Sequence, residues 1–202
     1  MDDAQRIGLF GGSFDPIHAG HLILAQLALD FAGLDRVLFI PTANPPHKTG
    51  RTLTPFEHRR RMVELAIEGN DRFGLSLVEE EDGPSYTWQS VVRFSAEGYD
   101  RSRLHLLVGS DSLAEMAGWR RPEVIFENTT IIAMRREGSG GHVAVPRGAA
   151  VIFIETCANS ISSSAVRALI AEGRSIRYLV PAEVERYIRD HRLYAVAGRE
   201  EA

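Results

Sequence analysis

Short apolar runs that stop at glycine or proline alternate along this chain with longer stretches of helical spacing, and no other feature restricts the fold as much. Arg6–Phe10 is the first such run and ends at Gly11-Gly12. Ala19–Phe31 follows, and its Leu22, Leu24, Ala25, Leu27, Ala28, Leu29 and Phe31 are dense enough to predict a well-buried helix. Arg36–Ile40 predicts the next strand, stopped by Pro41. Asn44 to Gly50 must be a loop, because its prolines offer no backbone donors. The alternation then continues with a helix over Pro55–Glu68, a strand over Phe73–Val78, a helix over Tyr86–Ala96 and a strand over Arg103–Val108. A short helix near Ser112–Ala117, strands over Thr129–Met134 and Ala149–Ile154, and two tail helices over Ser164–Glu172 and Pro181–Asp190 complete it. Arg136–Gly148 is polar and holds four of the 18 glycines, which predicts a mobile surface connection rather than a linker.

Strands alternating with helices imply an α/β fold: a doubly wound, mostly parallel sheet with right-handed crossovers, helices on both faces and a C-terminal helical segment. A length of 202 residues suits one domain, with its core over about residues 6–194, burying roughly 70% of the surface of the unfolded chain. In such sheets ligands bind beyond the carboxyl ends of the strands, so the residues just after each strand are the candidates for chemistry.

Charge and cysteine usage narrow the function classes. With 23 basic and 27 acidic residues the net charge is −4, too negative for a general field holding long nucleic acid or an anionic membrane, so any phosphate site must be local. Arg59-Arg60-Arg61, on a predicted helix with Met62, Val63, Leu65, Ala66 and Ile67, is expected to be a solvated face. The lone Cys157 excludes an intramolecular disulfide and any multi-cysteine metal site. Residues 1–6 do not resemble a targeting segment, and no stretch approaches the roughly 18 uncharged apolar residues of a membrane helix, so a cytoplasmic protein is expected.

Two constellations carry chemistry. Gly11, Gly12, Ser13 and Phe14 lead through Asp15-Pro16-Ile17 to His18-Ala19-Gly20-His21 at a helix start. The glycines let a ligand approach the backbone, the helix start offers unpaired N–H groups, and two imidazoles three residues apart can both face a phosphate. Capping or local packing of the two histidines is the alternative. The pair could also chelate zinc, but no third ligand lies within sequence reach. The stretch lacks the G-x-G-x-x-G spacing of dinucleotide oxidoreductases. In the second constellation, Ile161-Ser162-Ser163-Ser164-Ala165-Val166-Arg167, serines suit a helix N-cap. If Ser163 caps, Arg167 lies in the second turn, where a cation is unfavourable unless a polyanion accepts from it. No G-x-S-x-G elbow frames these serines as nucleophiles.

Taken together, the two stretches resemble the paired signature of the nucleotidyltransferase superfamily, whose fold is a Rossmann-like α/β domain. Pro45-Pro46-His47-Lys48, Pro84-Ser85-Tyr86-Thr87, Gly109-Ser110-Asp111-Ser112 with Trp119, and the ending Tyr178-Leu179-Val180-Pro181 through Leu193-Tyr194 are similar to one branch, the bacterial nicotinate-mononucleotide adenylyltransferases. Ser164 stands where that signature usually has threonine, and keeps the hydroxyl.

The resemblance implies attack by the phosphate of nicotinate mononucleotide on the α-phosphorus of ATP, releasing pyrophosphate. That nucleophile is already an anion, so the demand is alignment and charge neutralisation rather than a general base. It further implies that His18 and His21 contact the ATP phosphates, that Ser162, Ser163 and Arg167 hold the β and γ phosphates, and that Lys48, the only lysine, assists. Gly11, Gly12, Ser13, Phe14 and Gly109 would border ATP. Asp111 could accept from a ribose hydroxyl or simply cap the helix after it. His47, the Tyr86-Thr87 backbone and the Trp119 ring would hold the pyridine nucleotide and favour acid over amide, in the absence of an opposing carboxylate. Mg²⁺ would arrive with the triphosphate, with no protein ligands expected for it. The partners would be small molecules, with neither nucleic acid nor membrane, and a homo-oligomer is open. A sibling enzyme acting on nicotinamide mononucleotide or pantetheine phosphate, or a non-catalytic nucleotide sensor, stands as the alternative.

Overall fold

The computed structural model describes residues 5–44, 53–79, 85–136, 143–156 and 161–195. Six strands form one sheet: β1 (Ile7–Gly12), β2 (Arg36–Pro41), β3 (Phe73–Leu75), β4 (Leu104–Gly109), β5 (Thr130–Arg136) and β6 (Ala150–Thr156). Their order is β3-β2-β1-β4-β5-β6, and every pairing is parallel. The carboxyl ends of all six strands therefore lie along one edge. The order reverses between β1 and β4, where the chain crosses from one half of the sheet to the other and leaves a crevice.

Side chains alternate across the sheet with period two, which explains why the middle of the long strands is apolar on both faces. Phe10, Phe39, Leu107 and Ile132 point into one core with α1 (Ala19–Phe31), α2 (Phe56–Ile67), α6 (Ser163–Ala171) and α7 (Ala182–Asp190). Their neighbours Leu9, Ile40, Leu106 and Ile131 point into the other, with α3 (Thr87–Ala96), α4 (Ser110–Glu115), a 3₁₀ turn (Met116–Gly118) and α5 (Pro122–Asn128).

The expected architecture is present, with four differences. β3 ends at Leu75 rather than Val78, because beyond it the chain leaves the sheet edge. α5 was not anticipated: seven residues give too little periodicity, although Pro122 in its first turn is a start signal. Phe31, counted toward the buried face of α1, is 74% exposed at the last turn of that helix, where Leu24, Ala25, Ala28 and Leu29 do the packing. α4 begins two residues earlier than expected, directly after Gly109. Of the Arg136–Gly148 connection, residues 137–142 lie outside the described residues, as does Cys157. Among the described residues no helix is long and apolar enough to cross a membrane.

Candidate active site

The turn that follows β1 enters α1 through His18, whose extended backbone (φ −145°, ψ 170°) makes it the N-cap. The imidazole of His18 lies against Gly20: a Cβ there would sit 3.1 Å from its Nδ1 and 3.2 Å from its Cε1, so a side chain at position 20 would press on the ring. His21, one turn on, stacks on His18 with ring centroids 3.7 Å apart. The backbone N–H of His18 donates to Nδ1 of His21 at 3.1 Å. That bond fixes the tautomer: with Nδ1 accepting, the proton of a neutral His21 sits on Nε2, which is left as a donor. Burial holds His18 down to about 4, and burial together with the neighbouring His18 holds His21 well below its ordinary value. Both rings are thus neutral at pH 7. Nδ1 of His18 is buried and has no hydrogen-bond partner in the protein, a state that normally costs about 1–3 kcal/mol unless a ligand relieves it. Capping and ligand binding are therefore not alternatives here; the pair is arranged by the cap.

Phe14 departs from its expected place. Its side chain is 1% exposed and packs edge-on against Phe10 and His21, so it supports the site from within the core and can offer a ligand only its backbone. Gly12 gives room for that ring, which would lie 3.1 Å from a Cβ at position 12.

The second constellation meets the first. Ser163 Oγ donates to the Pro16 carbonyl at 2.9 Å, and Arg167 Nη1 donates to the Asp15 carbonyl. Arg167 Nη2 also donates to Ser164 Oγ at 2.9 Å. Stretches about 150 residues apart in sequence thus share one wall. The N-cap of α6 is Ser162 rather than Ser163: its Oγ accepts from the Ala165 N–H at 3.2 Å, which leaves Ser163 at the first helical position to reach the turn after β1.

Two residues without an assigned role hold this wall. Tyr194 OH donates to Asp15 Oδ1 at 2.7 Å, and burial pushes its phenol well above the ordinary range. Arg59, expected on a solvated face, is 1% exposed. It donates to the carbonyls of Thr54, Ser13 and Thr42 at 2.8 Å each, and to Ala43 at 3.3 Å. Arg61 does behave as expected, exposed and paired with Glu64, while Arg60 is half-buried and pairs with Glu57 and Glu64 at helical spacing. A buried arginine within an arginine run has no signature of its own. The only hint was its place one position from His58 on the side of Met62 and Val63.

At the crevice between β1 and β4 lies a cavity of about 220 Å³. Gly11 and Gly12 form part of its wall, so it is continuous with the turn described above. A Cβ at Gly11 or at Gly109, the last residue of β4, would meet nothing within 4 Å, so open space lies directly against the backbone at both strand ends. Ser85, Tyr86, Thr87, Ser112 and Trp119 also line the cavity. Asp111 lies exposed in the first turn of α4. Tyr86 caps α3, and its own N–H is engaged by Gln89 Oε1 at 3.1 Å, while Thr87 stands at the first helical position, where a backbone N–H has no partner within its own helix. Arg120, not anticipated, joins the wall: its guanidinium lies 4.9 Å from the Tyr86 ring centroid and donates to Tyr86 OH at 3.2 Å.

Glu79 corrects the expectation that no carboxylate faces this pocket. It lines the cavity, burial raises its pKa, and its carboxyl accepts from Ser90 Oγ at 2.8 Å and from Thr42. Those bonds anchor its carboxyl to α3 and to the segment after β2. His47 and Lys48 lie outside the described residues. Among the described residues no three His, Cys, Asp or Glu side chains converge as a metal site.

A family model described as cytidylyltransferase-like matches residues 9–169. A protein of Pelobacter propionicus described as a probable nicotinate-nucleotide adenylyltransferase is 40% identical, over 95% of this chain and 99% of its own length. One of Salinibacter ruber with the same description is 43% identical, over 94% of this chain and 98% of its own. Among solved structures, the nicotinic acid mononucleotide adenylyltransferase of Plasmodium falciparum complexed with NaAD superposes with a TM-score of 0.77 at 19% identity, covering 94% of this chain and 97% of its own. The same protein complexed with APC gives 0.75 at 20% identity, with the same coverage.

Proposed function

This chain belongs to the cytidylyltransferase-like family, and we propose that it transfers AMP from ATP to nicotinate mononucleotide, giving deamido-NAD and pyrophosphate in NAD biosynthesis. The observation that carries the site assignment is the shared wall: Ser163 and Arg167 bonded to the carbonyls of Pro16 and Asp15, beside the imidazoles of His18 and His21.

In this reading the triphosphate lies across the start of α1 and the start of α6. Nε2–H of His21 donates to the α-phosphoryl group, His18 accompanies it, and Ser162, Ser163 and Arg167 hold the β and γ phosphates, with Lys48 assisting. Because both imidazoles are neutral before ATP arrives, they donate hydrogen bonds without first repelling each other. The polyanion then favours their protonated forms as charge grows on the leaving pyrophosphate. The mononucleotide enters the cavity with its pyridine ring against Trp119 and its carboxylate toward the Thr87 N–H; His47 belongs to this half of the site, and Asp111 faces a ribose. Arg120 at the rim supports the acid over the amide, since a carboxylate gains a cation there that an amide does not use. The phosphate of the mononucleotide attacks the α-phosphorus in line, the bond to the β-phosphate oxygen breaks, and the electron pair leaves with pyrophosphate. The residues facing the phosphates are donors rather than acceptors, a set that fits a divalent cation carried by ATP, with Mg²⁺ as the ion. Such an ion would supply further neutralisation of the leaving pyrophosphate, beside the donors of His18, His21, Ser162, Ser163 and Arg167.

The partners are small molecules, with no nucleic acid involved. We read the chain as one nucleotidyltransferase domain acting in a reducing cytoplasm; one sheet holding every strand of the described residues supports the first part, and a lone cysteine in the sequence fits the second. Pyrophosphate release by the purified protein with ATP and Mg²⁺ tests the reading. It should require nicotinate mononucleotide and be slower with nicotinamide mononucleotide. Release that depends on neither, or that requires pantetheine phosphate, would overturn it.

A further inference from the structure

We propose that Arg59 is a positioning residue that sets the distance between the two substrates, an inference that rests on the proposed reaction. A guanidinium has five donors in a planar fork, and here the fork is spent on backbone carbonyls alone. Its partners come from three places: Ser13 in the turn after β1, Thr42 and Ala43 just past β2, and Thr54 ahead of α2. Ser13 belongs to the stretch assigned to the triphosphate. Thr42 belongs to the wall of the cavity assigned to the mononucleotide. One buried cation therefore joins the two half-sites from behind without touching either substrate.

Burial opposes the charge on Arg59, while Asp15 and Tyr194 nearby favour the charged form. Neutral residues of similar volume could fill this space, but none could donate to four carbonyls of three segments at once. An in-line transfer is sensitive to this. The attacking and accepting atoms must approach to about 3–3.5 Å, and a misplacement of about 1 Å can lower the rate on the order of 100-fold. The bonds of Arg59 run between the turn after β1 and the segment just past β2, rather than to the imidazoles, to Arg167 or to Trp119. Loosening the joint between them should therefore disturb the relation of the substrates more than the binding of either.

The test uses Arg59→Lys and Arg59→Gln in the full chain, with Arg61→Gln as a surface control. Each is assayed below its unfolding transition as followed by circular dichroism. Lysine keeps the charge but reaches fewer carbonyls, so kcat should fall about 10-fold in Arg59→Lys and about 100-fold in Arg59→Gln, while KM for ATP and for nicotinate mononucleotide each changes less than about 3-fold. Arg61→Gln should match the parent chain. A kcat within 3-fold of the parent in folded Arg59→Gln, or equal losses expressed in KM alone, overturns the proposal. So does failure of both Arg59 variants to fold, which would make the residue structural only. If the parent chain itself fails to release pyrophosphate with nicotinate mononucleotide, it is the reaction assignment that fails.

Discussion

Lowering the pH should destabilise the fold through the same imidazoles that are arranged for catalysis. Burial holds His18 near 4 in the folded chain, against 6.5 for the free side chain. Above pH 6.5 the ring is neutral in both states and its contribution does not change with pH. Between 6.5 and about 4 only the unfolded chain takes up the proton, so stability falls as pH falls, and below about 4 both states bind it. At about 1.4 kcal/mol per unit, His18 alone removes about 2 kcal/mol between pH 7 and 5 and about 3 kcal/mol by pH 4. His21 and His105 are shifted in the same direction, chiefly by burial, and add to the loss. Urea unfolding at pH 7, 6 and 5 reads this directly: with a slope of about 2 kcal/mol per molar, His18 should lower the midpoint by about 1 M across that range. In His18→Asn the drop from pH 7 to 5 should shrink by about 2 kcal/mol. An undiminished drop in that variant would refute the reasoning, because it would mean the ring is not held neutral by the fold.

Other expectations follow from single contacts. Arg167→Ala should lower kcat/KM by about 100- to 1,000-fold, read by pyrophosphate release, while the protein still folds; a loss under 10-fold would remove the residue from the phosphate site. Tyr194→Phe removes the donor to Asp15 and should cost about 1–3 kcal/mol in denaturant unfolding, with a fall in activity because Asp15 also carries the carbonyl that receives Arg167. Trp119→Ala should raise KM for nicotinate mononucleotide at least 10-fold and leave KM for ATP within about 3-fold, since it opens the cavity wall only on the pyridine side.

The fold was largely legible from sequence because its signal is redundant. The middle of the long strands is apolar on both faces, as a sheet covered by helices requires, and each helix is long enough to show its period, apart from α4 and α5. Those two have six and seven residues, and their place is decided by packing of Leu113, Ile125 and Phe126 against the sheet. The site was legible where chemistry and backbone coincide, at His18-Ala19-Gly20-His21 and Ser162 to Arg167. It was not legible where a residue acts through tertiary contacts. Arg59 reads as one arginine of three, Tyr194 as an aromatic in the tail, and Glu79 as one of three successive glutamates; only the folding of distant carbonyls and hydroxyls around them shows what each holds. The capping serine was displaced by one for a similar reason, since the neighbouring hydroxyl finds a partner at Pro16, across the site.

The account depends on two distant segments gripping one triphosphate, and a crystal structure with a non-hydrolysable ATP analogue tests that most directly. Phosphate oxygens within about 3 Å of both His21 Nε2 and the Arg167 guanidinium are the predicted result. A triphosphate touching only one of the two segments, or bound away from the crevice between β1 and β4, would contradict it.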